Sequence, residues 1–154
     1  MNVFLALGSN LGDRDAHLAL ARDQLMAAGI SILKASTIEE TEPIGGPPQP
    51  SYLNQVLEVD TDLQPRELLD FVKGIESAAG RRPGGPRWGP RELDIDILLY
   101  GHVMIDTPDL TIPHPQLVNR HFLLRLLTEI NPRLTDAVSD VTAGQLNRQL
   151  GLAD

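Results

Sequence analysis

Two stretches of this chain cannot be helix or sheet, and they divide everything else. Residues 43 to 50 read Pro-Ile-Gly-Gly-Pro-Pro-Gln-Pro, and residues 81 to 90 hold three glycines and three prolines in ten positions. Proline lacks the backbone donor and has a fixed φ, while glycine loses the most freedom on ordering, so both stretches are expected as long loops. Between them lie short blocks whose periodicity can be read one at a time. Asn2 to Leu7 reads as a buried strand, left through the turn Gly8-Ser9-Asn10-Leu11-Gly12. Asp13 caps a helix with Leu18, Ala21 and Leu25 on one stripe and Gly29 as its stop. Ile30 to Thr41 is rich in β-branched residues and reads as a second strand, Tyr52 to Thr61 as a third. Pro65 opens a second helix, with Leu68, Val72, Ile75 and Ala79 facing one way and Gly80 at its end. Leu93 to Tyr100 is a fourth strand, His102 to Ile112 a short hairpin, and Phe122 to Ile130 a helix halted before Pro132. A capping box, Thr142-Ala143-Gly144-Gln145, opens a last short helix.

The core order β-α-β-β-α-β is that of a ferredoxin-like α+β fold, an antiparallel sheet with both helices on one face. The opposite face is then expected to stay free for a site. The 154 residues are expected to form one domain, 1–154, long enough to bury roughly 70% of the surface the unfolded chain exposes. Architecture of this kind hosts many chemistries, so function has to come from side chains.

Cysteine is missing altogether, which excludes disulfides and thiolate–metal sites and suits a reducing compartment. No apolar run is long enough to cross a bilayer, and Met1 leads into the run Val3 to Leu7 without a basic leader, so a cytoplasmic protein with no membrane partner is expected. The formal charge of -8 argues against nucleic acid as a partner. Yet Arg81, Arg82, Arg87 and Arg91 fall within eleven residues that hold no acid, although the whole chain has only 13 lysines and arginines. A run like this is commonly a solvated loop; on an acidic protein it is also a local anion trap.

The next segment changes the weighing. In Leu93-Asp94-Ile95-Asp96-Ile97-Leu98 a period of two sends both carboxylates to one face and Leu93, Ile95 and Ile97 to the other. Side chains two apart on a strand stand roughly 6 to 7 Å apart, which lets two carboxylates bracket hard divalent cations. An isolated D-x-D is more often a pair of solvated acids. Here Arg87-Trp88-Gly89-Pro90-Arg91 enters the strand directly, so cations and carboxylates converge. Magnesium-bound polyphosphate needs both, the metal for bridging oxygens and guanidinium forks for the rest. Trp88 either anchors the loop or touches a ligand. Tyr52, Asn54 and Phe122 are parts suited to a flat heterocycle, two stacking faces and an amide with donor and acceptor. His114, held between Pro113 and Pro115, is either a solvent-facing loop histidine or a phosphate or ribose contact. Neither G-x-x-x-x-G-K-[ST] nor G-x-G-x-x-G occurs, so a bound nucleotide must be held by arginines and metal.

Taken together, Leu7-Gly8-Ser9-Asn10-Leu11-Gly12, Tyr52-Leu53-Asn54, Arg87-Trp88-Gly89-Pro90-Arg91, Leu93-Asp94-Ile95-Asp96-Ile97, Ile112-Pro113-His114-Pro115 and Asn119-Arg120 resemble the 6-hydroxymethyl-7,8-dihydropterin pyrophosphokinases over nearly the whole chain. The resemblance implies transfer of the β,γ-diphosphate of ATP to the hydroxymethyl group of the pterin, releasing AMP, in folate biosynthesis. It implies that Asp94 and Asp96 bind two magnesium ions and act in catalysis with Arg81 and Arg91. It places Tyr52 and Phe122 on the two faces of the pterin, Asn54 with Thr41 and Ile44 on its edge, and Trp88 closing over it. It assigns ATP to Glu76, Arg87, Arg91, Ile97, Thr111, His114 and Arg120. The chain departs from the family pattern at Pro83-Gly84-Gly85-Pro86, where basic residues are frequent, at Asp109, where some relatives are basic, and at Glu42, where some have proline.

Two other classes fit the residues: a magnesium-dependent nucleotidyltransferase or phosphohydrolase with another substrate, and a noncatalytic pterin- or nucleotide-binding protein. A monomer is expected, since no heptad seam or isologous apolar patch stands out.

Overall fold

The run Val3 to Leu7 has no polar alternation because both faces of its strand are buried. In the computed structural model, which describes residues 2–42, 48–80, 91–118 and 120–132, Val3, Leu5 and Leu7 enter one core while Phe4 and Ala6 enter a second on the opposite face. This strand, β1 (Asn2–Ser9), is central. It pairs antiparallel with β4 (Tyr52–Asp60) on one side and β5 (Asp94–Tyr100) on the other. With β2 (Ser31–Ala35) beyond β4, the order is β2-β4-β1-β5, all antiparallel, as the ferredoxin-like reading requires.

The two expected helices form α1 (Arg14–Ala27) and α2 (Pro65–Ala78). Asp13 Oδ1 accepts from the Ala16 N–H at 3.1 Å, satisfying a donor the first turn cannot. Gly29 ends the α1 turn at φ +82, a region that glycine alone enters without strain. Leu18, Ala21 and Leu25 of α1 and Leu68, Val72 and Ile75 of α2 are buried against Leu57, Val59, Leu93, Ile95 and Ile97 of the sheet. At about 1.5–3 kcal/mol for each large apolar side chain removed from water, this layer dominates the fold's stabilisation.

Two expectations are corrected. The second strand is not continuous from Ile30 to Thr41: β2 stops at Ala35 and a separate β3 (Glu39–Thr41) resumes pairing with β4. At the break, Ser36 donates its N–H to the Val56 carbonyl at 2.9 Å and accepts the Val56 N–H on its hydroxyl at 2.9 Å, so a side chain replaces the ladder. Nor is the second face of the sheet free. It is partly covered by a 3₁₀ turn (Pro115–Val118) and by α3 (His121–Ile130), whose stripe Leu123, Leu126, Leu127 and Ile130 packs on Phe4, Ala6, Val56, Leu98 and Leu99. A helix this apolar on one side must cover something, and the remaining sheet face was the available surface. Polar contacts fasten it at the β2–β3 edge: Lys34 Nζ to the Ile130 carbonyl at 2.9 Å, the Thr37 N–H and hydroxyl to Glu129 at 2.7 and 2.9 Å, and the Arg125–Glu39 ion pair.

The hairpin is present as β6 (Ile105–Thr107) and β7 (Leu110–Ile112). The last short helix expected from residue 142 lies outside the described residues. A bulge at Leu98 shifts the β1–β5 register between Phe4 and Leu5, so Leu98 and Leu99 both enter the second core.

Candidate active site

Because α3 covers only part of its sheet face, a cleft of about 330 Å³ remains beside its N-terminus. That is within the size range of small-molecule sites. Three strands form its floor. Across them, Asn54 on β4 lies opposite Gly8 on β1, and Gly8 opposite Asp94 on β5; the next row is Val56, Ala6 and Asp96. Strand alternation sends Leu93, Ile95 and Ile97 into the core, each no more than 5% exposed, and leaves Asp94 and Asp96 half-buried on the cleft face.

The walls come from the start of β4 and from four other segments. Tyr52 opens β4, Thr41 and Glu42 close β3, Arg91 precedes β5, and Arg120 and Phe122 begin α3. His114, just before the 3₁₀ turn, and Gln116 within it complete the cleft. The His114 N–H donates to the Leu98 carbonyl at 3.0 Å, and its ring Nδ1 accepts from the Gln116 N–H at 3.1 Å. A nitrogen that accepts carries no proton, so the neutral ring holds its proton on Nε2, which lies 3.7 Å from Asp96 Oδ1. The Nε of Arg120 is buried and has no hydrogen-bond partner among the described residues. A guanidinium with such an unsatisfied N–H in a cleft wall is suited to an anionic ligand.

Asn54 has one clear orientation. Its Nδ2 donates to Thr41 Oγ1 at 2.6 Å and to the Glu39 carbonyl at 3.4 Å. Since a carbonyl can only accept, the amide nitrogen must be on that side, and Oδ1 is the atom presented toward Gly8.

Of the residues singled out in the sequence, the cleft brings together Thr41, Tyr52, Asn54, Arg91, Asp94, Asp96, His114, Arg120 and Phe122. Glu76, Ile97 and Thr111 are not in its wall. Glu76 is 7% exposed and accepts the Ile95 N–H at 2.7 Å, capping the outer edge of β5 from α2. The Ile97 side chain lies in the core on the face opposite Asp96, and Thr111 pairs with Asp106 in the hairpin. Ile44, Arg81, Arg82, Arg87 and Trp88 lie outside the described residues.

Sequence reasoning overlooked Asn10, treated only as part of a turn. It is 1% exposed, its Nδ2 donates to Gln49 Oε1 at 2.8 Å and to the Pro50 carbonyl at 3.1 Å, and its Oδ1 accepts the Arg91 N–H at 2.8 Å. One amide thus ties the β1 turn to Gln49-Pro50 and to the residue that leads into the D-x-D strand. A polar side chain between Ser9 and Leu11 in an otherwise apolar entry was the available signal. Glu42, seen before only as a departure, is also in the wall, accepting from the Ser51 hydroxyl at 3.1 Å. Asp109, the other departure, is paired outside the cleft with Arg66 at 2.8 Å.

A profile of the 7,8-dihydro-6-hydroxymethylpterin-pyrophosphokinase (HPPK) family matches residues 4–132. The chain is 43% identical over 128 residues to a 2-amino-4-hydroxy-6-hydroxymethyldihydropteridine pyrophosphokinase of Bacillus subtilis, covering 82% of this chain and 76% of that one. A protein of the same name from Aquifex aeolicus is 43% identical over 132 residues, 86% of this chain and 81% of its own. A folate synthesis bifunctional protein of Arabidopsis thaliana is 41% identical over 128 residues, which are 83% of this chain but 26% of that longer protein.

Proposed function

The chain belongs to the 7,8-dihydro-6-hydroxymethylpterin-pyrophosphokinase family, and we propose that it transfers the β,γ-diphosphate of ATP to the hydroxymethyl group of 6-hydroxymethyl-7,8-dihydropterin, a step of folate biosynthesis. The observation that carries this reading is the convergence of two chemistries in one cleft. Asp94, Asp96, Arg91, Arg120 and His114 form a polyphosphate side, and Tyr52, Asn54 and Phe122 form a side for a flat ring.

The pterin oxygen attacks the β-phosphorus in line; the bond from that phosphorus to the α,β-bridging oxygen breaks, AMP leaves with it, and the hydroxyl proton passes to solvent or a nearby base. Little covalent help is needed from the protein for such a transfer, so its residues act by placement and charge. Tyr52 and Phe122 hold the ring, and Asn54 Oδ1 accepts from its edge. Arg91 and Arg120 fork onto phosphate oxygens, and His114 donates from Nε2. Arg81, Arg87 and Trp88 join the proposal on sequence alone.

Magnesium is supported by donor chemistry. Among the described residues there is no cluster of three or more His, Cys, Asp or Glu suited to holding a metal. Magnesium does not ask for one, since it keeps several waters and takes one or two carboxylates plus substrate oxygens. Asp94 and Asp96, adjacent on one face and half-exposed, would hold two such ions, which when bound neutralise the phosphate oxygens. We further propose a monomer working in the cytoplasm; among the described residues no helix is long and apolar enough to cross a membrane.

Incubation with ATP, magnesium and 6-hydroxymethyl-7,8-dihydropterin, followed by mass analysis, tests the reaction. Pterin diphosphate and AMP in equal amounts are expected. Release of phosphate or diphosphate without the pterin product points to a hydrolase, and no AMP at any magnesium concentration points to a binding protein.

A further inference from the structure

We propose that Gly8 is a specificity-determining residue of this site, kept without a side chain so that the edge of the pterin ring and its hydroxymethyl arm can pass close over the β1 backbone between Asn54 and the two aspartates. The proposal rests on the function given above and adds a residue to it.

On the cleft side, β1 presents Phe4, then Ala6, then Gly8, so its side chains shrink to nothing as the strand approaches the open end of the cleft. The sheet register sets Gly8 directly between Asn54 and Asp94. Adjacent strands stand about 4.8 Å apart, which puts the ring-binding strand and the carboxylate strand about 10 Å from each other. That interval has to be crossed by the ring's substituent to reach the phosphate, and Gly8 is the floor beneath it.

Folding gives no reason for glycine there. Gly8 lies within a strand and its φ is not among the positive ones. A β-carbon at this position would lie 3.4 Å from Tyr52 Cδ1, 3.5 Å from Asn54 Oδ1 and 3.7 Å from Tyr52 Cε1, which are ordinary packing distances. Alanine therefore fits the protein alone, and glycine in a strand interior is the less stable choice. The atoms that such a methyl group would touch are the ones the ligand needs. Tyr52 supplies a stacking face, and Asn54 has its amide nitrogen committed to Thr41 and Glu39, leaving Oδ1 for the ring edge. A methyl group seated against both occupies the ring's own volume.

The test is Gly8→Ala, with three measurements on variant and wild type: the thermal midpoint, calorimetric affinity for a non-hydrolysable ATP analogue with magnesium, and affinity for the pterin with that analogue present. We expect an unchanged or raised midpoint, analogue affinity within about threefold, and pterin affinity weakened by about tenfold or more. Pterin affinity within about twofold of wild type in a folded variant overturns the proposal. A variant that fails to fold, or melts well below wild type, also overturns it, because glycine would then be required by the strand. Wild type that binds the analogue and not the pterin removes the functional reading itself, an outcome visible before any variant is made.

Discussion

Asp96→Asn separates the proposed chemistry from the fold because the two respond so differently. The substitution keeps the side chain's shape and removes one charge. Asp96 is 37% exposed, and its Oδ1 lies 3.7 Å from His114 Nε2, beyond hydrogen-bond range, so losing that contact costs well under about 1 kcal/mol. Against that, the mutation relieves repulsion from Asp94, two positions away on the same face. At roughly 6 to 7 Å across the water-filled cleft, with a dielectric close to that of bulk water, that repulsion is about 0.6–0.7 kcal/mol. The terms oppose each other, and the thermal midpoint should stay within about 3 °C of wild type. Catalysis has no such compensation. A carboxylate that anchors charge against a triphosphate supplies at least what one preorganised donor supplies, about 2.7–4 kcal/mol, so kcat/KM should fall by about a hundred- to a thousandfold. The assay is initial-rate formation of pterin diphosphate across a magnesium titration, with circular dichroism melting in parallel. A folded Asp96→Asn protein within about threefold of wild-type kcat/KM at all magnesium concentrations would show that this carboxylate does not serve the reaction.

Tyr52→Ala and Phe122→Ala should each weaken the pterin by about 0.5–1.5 kcal/mol or more, seen as a higher KM for the pterin with KM for ATP little changed; equal effects on both substrates would contradict the ring-clamp assignment. Leu126→Ala empties a position 1% exposed under α3 and should cost about 2–5 kcal/mol in urea unfolding, whereas a loss below 1 would mean that α3 is not a core element. The carboxyl of Asp109 is lowered from its ordinary value to about 2, mainly by the Arg66 hydrogen bond and then by that of Thr107. A folded-state value below the unfolded one means that this interaction stabilises above about pH 3.8 and is lost as pH falls toward 2. The difference in denaturation midpoint between wild type and Asp109→Asn should therefore be steady at neutral pH and close as acid approaches pH 2; a difference independent of pH would remove the ionic explanation.

Local spacing was enough for whatever depends on local spacing. The period of two in residues 93 to 97 placed the acids opposite Ile95 and Ile97, and the stripes and caps of α1 and α2 were legible because a helix repeats every few residues. The break at Ser36 was less legible, since a side chain that imitates the ladder leaves the β-branched composition intact. Pairing across the sheet is another matter. Asn54, Gly8 and Asp94 share a row only because burial of both faces of β1 makes it the central strand. No window of sequence contains that row. The same holds for Asn10, whose amide joins residues 39 and 81 positions away, and for the cover that α3 lays over a face expected to be bare. The amino-acid order by itself determined which side chains could do this chemistry and on which side of each element they stand. Tertiary structure alone decided which of them meet, because meeting depends on register and on which apolar faces find one another, and those are settled by the burial of the whole chain.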